Sequence, residues 1–194
     1  MKNSLFAAFA LLALAAAPSA DAQPESAYYG ISLGEFDYTD NGFGEDFFSD
    51  SVSAWHLMVG YQFMEHLAVE GAYGQSSTIR DTRTFPGLLP GQTDEVEFVS
   101  ELERILTIRL LGVLPFDNGV SLMAGIGYAD VKQDIAVNVN GALALSGEVS
   151  GNNPAYYVGA QYDWDRVALR LAYEQYDFED ADATEISLTF FYKL

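Results

Sequence analysis

Hydrophobic and polar residues alternate with a period of two along most of the chain. Near the start of this pattern, Tyr29, Ile31 and Leu33 alternate with small or polar neighbours, and the same alternation runs from Trp55 to Phe63. Such alternation is typical of β-strands, because successive side chains of a strand point to opposite faces. Beyond the first residues, no segment has an apolar stripe at helical spacing, so the pattern predicts an all-β fold.

Eight strands are predicted, and their connections alternate in length. The predicted strands are 28–34, 54–63, 67–75, 99–114, 120–130, 155–164, 167–176 and 184–194. Tight turns are expected near 64–66, 115–119 and 163–165, and longer connections near 37–50, 76–98, 131–154 and 177–183. This order predicts an eight-stranded antiparallel up-and-down barrel with all tight turns at one end, as in transmembrane barrels of the outer membrane. The lumen of so small a barrel is filled by side chains, so no wide pore is expected.

The first 22 residues are predicted to be a secretory signal peptide. Lys2 provides a positive start, an apolar run covers residues 5–17, and Ala20-Asp21-Ala22 fits a cleavage site. The apolar run is shorter than the roughly 20 residues that a membrane-spanning helix needs. Residues 23–194 are therefore expected to form a single barrel domain.

Composition excludes several classes of protein. The net charge of −19 opposes nucleic-acid binding, which needs lysine and arginine to neutralise phosphates. A hydrophobic content of 49% is too high for a disordered acidic chain. The chain has no cysteine, so neither disulfides nor thiolate metal sites stabilise it.

The two faces of the predicted strands differ in side-chain size. One face is rich in small residues: Gly30, Ser32, Gly34, Gly60, Gly125, Gly127 and Gly159. The other carries large side chains: Tyr29, Trp55, Tyr61, Tyr73, Tyr128, Tyr162 and Tyr173. Small residues suit a crowded lumen, and aromatic rings near strand ends suit the lipid headgroup layer. The large face is therefore interpreted as lipid-facing; a soluble lipocalin-like carrier, with this face inward, is the alternative.

The last predicted strand places apolar residues at every second position from the carboxyl terminus. These residues are Ile186, Leu188, Phe190, Tyr192 and Leu194. The pattern resembles the carboxy-terminal signal by which Gram-negative outer-membrane barrels are recognised for assembly, which implies the barrel-assembly machinery as a partner. The departure is Leu194, because such signals usually end in an aromatic residue.

The chain from residue 23 onward resembles the small OmpA/OmpX-like outer-membrane β-barrel family. The matching segments are 28–34, 59–61, 69–73 and 169–174. The resemblance implies the outer membrane of a Gram-negative bacterium, with periplasmic termini and with membrane lipid and lipopolysaccharide as surroundings. In that family a lumenal glutamate of strand three pairs with an arginine of strand seven, and Glu70 and Arg170 occupy the matching positions.

Alternation places several charged residues in the predicted lumen. They are Glu70, Arg109, Arg170, Glu174 and Lys193, with His56 and Gln161 as polar neighbours. One interpretation is a gate, in which an exchange of ion-pair partners opens a narrow water path. The other is a neutralised polar core that fills the lumen.

The fourth predicted strand sets the register of this lumenal network. With Arg109 inward, Leu106, Ile108 and Leu110 face lipid and Arg104 also points outward. Arg104 must then lie above the membrane or extend to its surface.

No enzymatic site, cofactor site or metal site is predicted. The two histidines, His56 and His66, lie away from the long connections. Asp37, Thr39, Asn41 and Gly42 fit the start of a calcium loop, but Phe48 stands where a glutamate ligand is required. A weaker hypothesis is that acidic residues hold divalent cations against lipopolysaccharide; these are Asp37, Asp40, Glu45, Asp46 and Asp50, and Asp177, Glu179, Asp180 and Asp182.

The third long connection predicts a hairpin outside the membrane. Ile135, Val137 and Val139 alternate with polar residues, and Asn140-Gly141 is a type I′ turn signal. Together with the apolar segment 85–90, this hairpin could contact a protein partner, or the two loops could pack on each other. The predicted function is an envelope structural or surface-interaction role, and a narrow passive channel gated by lumenal ion pairs is the alternative.

Overall fold

The computed structural model describes residues 26–40, 48–86, 93–177 and 181–194. The predicted signal peptide, 1–22, lies outside these ranges. The described residues form β1 (Ser26–Asp40), β2 (Phe48–Met64), β3 (Leu67–Ser76), β4 (Ile79–Pro86), β5 (Thr93–Pro115), β6 (Val120–Val139), β7 (Ala142–Trp164), β8 (Val167–Asp177) and β9 (Ala181–Lys193). No helix in the described part of the chain is long and apolar enough to cross a membrane.

Eight of these strands close into an antiparallel ring. Its order is β3-β2-β1-β9-β8-β7-β6-β5, and pairing between β3 and β5 closes it. The predicted all-β, eight-stranded, up-and-down architecture is therefore confirmed. The β2–β3, β5–β6 and β7–β8 connections are tight turns at one end of the barrel, as expected.

β4 is a ninth strand that the sequence pattern did not predict. It lies in the predicted long connection 76–98. Among the described strands it pairs only with the upper part of β5, the part away from the tight turns, from Ile79↔Ser100 to Pro86↔Thr93. Its polar residues, such as Arg80, Thr82 and Thr84, do not give the apolar alternation of a strand buried on one face. It forms because β5 extends beyond β3 and offers its backbone edge there.

The predicted hairpin beyond the membrane is present as the upper parts of β6 and β7. Asn140 and Gly141 have φ values of 50° and 77°. Positive φ at both central residues is the signature of a type I′ turn, which matches the twist of the flanking strands.

The large apolar face points away from the lumen. The exposed outward residues include Tyr29, Leu57, Tyr61, Leu106, Ile108, Leu110, Ile126, Tyr128, Leu171, Leu188 and Phe190. The lumen side contains small and polar residues together with a few buried rings, such as Phe36, Tyr176 and Phe191. This orientation agrees with the lipid-facing interpretation, and it is the reverse of that of a soluble carrier.

A β-bulge in β5 changes which residues face outward. Its pairing with β6 shifts between Leu102 and Arg104, so that Ile105 and Leu102 are both buried although three positions separate them. Below the bulge the outward residues are apolar, whereas above it they include Glu101 and Glu97. The predicted outward position of Arg104 thus falls at this boundary.

Candidate functional site: lumenal ion network and outer rim

Glu70 joins two arginines in the middle of the lumen. Its Oε2 accepts a hydrogen bond from Nε of Arg109 at 2.9 Å, and its Oε1 accepts one from Nη1 of Arg170 at 2.6 Å. The Tyr28 hydroxyl donates a third bond to Oε1 at 2.7 Å. Glu70 and Arg170 are each only 1% exposed, so both ion pairs are shielded from water.

Strand alternation and barrel closure bring these side chains together. Glu70 and Arg109 are direct cross-strand partners in the β3–β5 pairing that closes the ring. β8, which carries Arg170, is four strands away from β3 in either direction, so the Glu70–Arg170 bond crosses the lumen. The network therefore connects opposite walls at the level of Glu70.

The two guanidinium groups are also packed against aromatic rings. Arg109 donates to Oε2 of Glu174 at 2.6 Å and lies 4.3 Å from the ring centroid of Tyr157. Arg170 lies 4.2 Å from the ring centroid of Phe191. Contact with an aromatic face stabilises a cation beyond its ion pairs.

A second buried cluster lies next to the first. Nε2 of His56 is 2.9 Å from Oε1 of Glu185, and the Tyr176 hydroxyl donates to Oε2 of Glu185 at 3.2 Å. Glu185 is the cross-strand partner of Glu174. Of the predicted lumenal residues, Glu70, Arg109, Arg170, Glu174 and His56 thus lie in one buried region, where the carboxyl groups of Glu174 and Glu185 are neighbours.

Sequence reasoning missed three members of this region: Glu185, Tyr28 and Tyr157. Glu185 shares its face of β9 with Thr189 and Phe191, and alternation back from the carboxyl terminus identifies that face as inward. Strand alternation also places Tyr28 and Tyr157 on the inward face. Tyrosine is common on both faces of this chain, however, so the residue type alone does not indicate a role in the lumen.

The lumen is packed at the level of the network and hollow on the side of the tight turns. A cavity of about 10 Å³ lies among His56, Arg109, Tyr157, Glu174 and Glu185, which is about the space of one water molecule. Oε1 of Glu174 has no hydrogen-bond partner among the described atoms.

A larger cavity, of about 200 Å³, lies between the network and the tight turns. Arg170, Gln161 and Lys193 line it. Within it, Nε of Arg170 donates to Gln161 at 2.9 Å, and the Lys193 ammonium is 2.6 Å from the Asp163 carboxylate. The arginine of the central network therefore also forms one wall of this cavity.

Above the bulge, β4 and the upper parts of β5, β6 and β7 form a sheet that extends beyond the ring, and we call it the β4–β7 sheet or outer sheet. Paired charges cover its outer face. Arg104 pairs with Asp130, and Arg80 pairs with Glu97 at 3.1 Å. A hydrogen bond from Asn138, together with Arg80, lowers the pKa of the Glu97 carboxyl.

Lys132 is the centre of the remaining ion pairs on this face. Its ammonium pairs with Glu103 and, at 3.0 Å, with Glu148. Hydrogen bonds to these two carboxylates raise the pKa of Lys132. This charged face begins where the outward apolar residues Leu106 and Tyr128 end, so the apolar band of the barrel stops at this level.

We call residues 142–154 of β7 the β7 edge. β8 pairs with β7 only from Ala155 onward, so within the described sheet this edge is bonded to β6 alone. Leu143 and Leu145 lie on it and are 64% and 66% exposed. An unpaired strand edge with apolar side chains is a template for the addition of another strand.

Four residues of the predicted assembly signal, Ile186, Leu188, Phe190 and Tyr192, lie on the outward face of β9, and Leu194 follows the end of that strand. Ile186, Leu188 and Phe190 are exposed, and Leu194 donates its backbone N–H to the Ala27 carbonyl. Their role in assembly stays a prediction.

The predicted acidic cation sites fall partly outside the described residues. Glu45, Asp46, Glu179 and Asp180 lie in the ranges 41–47 and 178–180, which are not described. In the described part, no three His, Cys, Asp or Glu side chains are grouped as metal ligands would be.

Comparison with known proteins gives both a family and structural relatives. Residues 6–193 match the family model described as "Outer membrane protein beta-barrel domain". No curated protein matches the sequence significantly.

Three solved structures illustrate the structural likeness. Ail, the attachment invasion locus protein of Yersinia pestis, superposes with a TM-score of 0.60 at 17% identity, covering 89% of this chain and 100% of that chain. Neisserial surface protein A gives 0.59 at 11% identity, with the same coverages. The amino-terminal barrel domain of Pseudomonas aeruginosa OprF gives 0.50 at 11% identity, covering 90% and 100%. At these identities the likeness establishes the fold.

Proposed function

Because the chain belongs to the outer membrane protein β-barrel domain family, we propose that it is a closed envelope barrel that presents an interaction surface outside the cell. Its place is the outer membrane of a Gram-negative bacterium, where the apolar outer face of the barrel lies in lipid. The tight turns then face the periplasm, and the β4–β7 sheet projects from the opposite side.

The observation that carries the closed-barrel proposal is the Glu70–Arg109–Arg170 network. It links opposite walls of the lumen through bonds of 2.6–2.9 Å, and the space beside it holds about one water molecule. An ion path would require these buried pairs to separate, which leaves charges uncompensated in a narrow lumen.

We expect the purified protein to show no stable conductance in planar lipid bilayers. Arg170→Ala removes the side chain that crosses the lumen, so this variant is expected to conduct where the wild-type protein does not. Arg80→Ala, which changes an exposed arginine on the outer sheet, is the matched control and should stay silent. Steady wild-type currents that Arg170→Ala or Glu70→Ala alters would favour the gated channel instead.

The second part of the proposal concerns the β7 edge and an extended polypeptide partner. A partner strand would complete the backbone hydrogen bonds of this edge and cover Leu143 and Leu145. Ail has been crystallised with the heparin analogue sucrose octasulfate. We do not extend that ligand class to this chain, because its described outer-sheet cations are already paired with carboxylates.

The double variant Leu143→Asp, Leu145→Asp is expected to reduce adhesion of cells that display the barrel to protein-coated surfaces. The barrel itself should keep its heat-modifiable gel migration, because both residues lie outside the membrane. Asp117→Ala in a periplasmic turn serves as the control and should adhere as the wild type does. Unchanged adhesion of the double variant, or of a deletion of 135–149 that leaves the barrel folded, would remove the binding role.

Catalysis is not part of the proposed role. His56 is held by Glu185 in the lumen, and Nδ1 of His66 lies 3.1 Å from the Val113 carbonyl oxygen. Neither histidine is placed beside a nucleophile at the protein surface, where a substrate could reach it.

Export and assembly complete the proposal. Residues 1–22 direct secretion, and the outward residues of β9 are recognised by the barrel-assembly machinery. Lipopolysaccharide is the expected neighbour of the outward face just above the bulge.

A further inference from the structure

An apolar groove lies on the lipid-facing wall, on the periplasmic half of the barrel. Its volume is about 480 Å³. The lining comes from five neighbouring strands, and its main outward side chains are Leu122, Ala124, Ala160, Leu171, Tyr173 and Ile186. A groove of this size is within the range of small-molecule binding sites, but its apolar lining favours a hydrocarbon chain.

The distance of the groove from the periplasmic membrane surface suits an acyl chain of the periplasmic leaflet. Leu171, in the groove, is five positions from Arg166 in the β7–β8 turn. At about 3.3 Å per residue and a strand tilt of about 40°, the groove lies about 13 Å above Arg166. One leaflet contributes about 15 Å of hydrocarbon, so a chain whose headgroup is at Arg166 reaches the groove.

Arg166 is the available cation of this chain at that level. Elsewhere in the described ranges, each Lys or Arg forms an ion pair with a carboxylate: Arg80, Arg83, Arg104, Arg109, Lys132, Arg170 and Lys193. Arg166 is exposed and forms no such pair within those ranges; the nearby Tyr192 hydroxyl and the Asp165 carboxylate raise its pKa, so it keeps its charge. In a chain of net charge −19, an unpaired cation at the membrane surface is available to an external anion.

Aromatic side chains connect Arg166 to the groove. Trp164 and Tyr162 form an edge-to-face pair with ring centroids 4.5 Å apart, and both are exposed on the wall next to the turn. Rings of this kind favour the headgroup layer, so they fix the level of the periplasmic membrane surface beside Arg166.

We propose that this wall binds one anionic glycerophospholipid of the periplasmic leaflet. Its phosphate contacts Arg166, its glycerol region lies against Trp164 and Tyr162, and one acyl chain occupies the groove. The proposal rests on the outer-membrane placement, but not on the closed lumen or the β7 edge. Its failure is therefore separable from a failure in the conductance or adhesion experiments.

Quenching of Trp164 by brominated lipid tests the headgroup contact. Trp55→Phe leaves Trp164 as the sole tryptophan of the folded protein. The full chain is reconstituted into vesicles of mixed phosphatidylglycerol and phosphatidylcholine, with bromine on the acyl chains of one or the other. We expect phosphatidylglycerol to be preferred about five-fold, from the attraction of one arginine for an anionic lipid.

Two substitutions of Arg166 separate binding from folding. Arg166→Gln should abolish the preference, and Arg166→Lys should retain it. Arg80→Gln, at the far end of the barrel, should leave it unchanged. Equal quenching by both lipids in the parent protein, or a preference that survives Arg166→Gln, would overturn the proposal.

Filling the groove tests the acyl-chain site. Ala160→Phe should lower the number of phospholipids retained in native mass spectrometry, and Leu57→Phe on the opposite wall should not. If the groove instead holds a second copy of the chain, Ala160→Phe will reduce energy transfer between labelled copies and leave lipid retention unchanged. That result would also overturn the proposal.

Discussion

Replacing Arg170 with alanine is expected to lower the free energy of unfolding by about 3–5 kcal/mol, the usual cost of stranding one member of a buried ion pair. Glu70 loses its bond across the lumen and keeps Arg109 and Tyr28 as partners. The packing of the guanidinium on Phe191 is lost as well. Denaturant titration of the barrel in lipid vesicles, followed by tryptophan fluorescence, measures the change.

Two further variants identify the cause of that loss. Arg80→Ala removes an exposed arginine of the outer sheet and should change stability by no more than about 1 kcal/mol, the most that an exposed ion pair usually contributes. Glu70→Leu combined with Arg170→Met should recover part of the loss, because an apolar pair leaves no stranded charge. If Arg170→Ala is as mild as Arg80→Ala, the lumenal network does not stabilise the barrel.

An arginine in place of Leu110 is expected to destabilise the barrel by about 2–4 kcal/mol, the cost of this side chain at the bilayer midplane on a lipid-facing wall. Leu110 is 47% exposed and lies on β5, four positions below Leu106 and five above Pro115. At about 3.3 Å per residue and a strand tilt of about 40°, it is near the middle of the apolar band. Leu145→Arg is the matched control, because Leu145 is 66% exposed but lies above the bulge. Its effect should stay within about 0.5 kcal/mol.

Leu110 and Leu145 are both leucines with exposed side chains, so exposure alone predicts similar effects. Only the medium differs between them, hydrocarbon for Leu110 and water for Leu145. Titration in bilayers of the same lipid gives both values, and equal effects would contradict the placement of the membrane.

The ring of strands and the buried charges were predictable because both depend on period two. Glu70 and Arg170 follow from parity along β3 and β8, and barrel closure then places them on opposite walls. Which side chains bond to each other depends on the stagger between neighbouring strands. Alternation within a single sequence does not give that stagger. Glu185 lies on the same inward face and was missed because it follows the acidic connection 177–183.

The upper part of β5 was not predictable, because a bulge leaves no clear mark in the sequence. Continued alternation from Arg109 would place Glu103, Glu101 and Val99 in the lumen. The extra residue at the bulge turns these positions outward, where Glu103 meets Lys132. β4 was hidden for a related reason: its strand conformation comes from the neighbouring backbone of β5 and not from its own pattern.

At the bulge, the odd-numbered positions of β5 change from inward to outward. This change also fixes the height of the barrel in the bilayer. A shift toward the periplasm would draw Glu101 and Glu103 into hydrocarbon, and a shift outward would bring Leu106 and Tyr128 into water. Either displacement costs free energy, so the barrel has a narrow range of immersion. The bulge therefore sets the depth at which the barrel sits in the membrane, and this depth keeps the β7 edge at a constant distance from the cell surface.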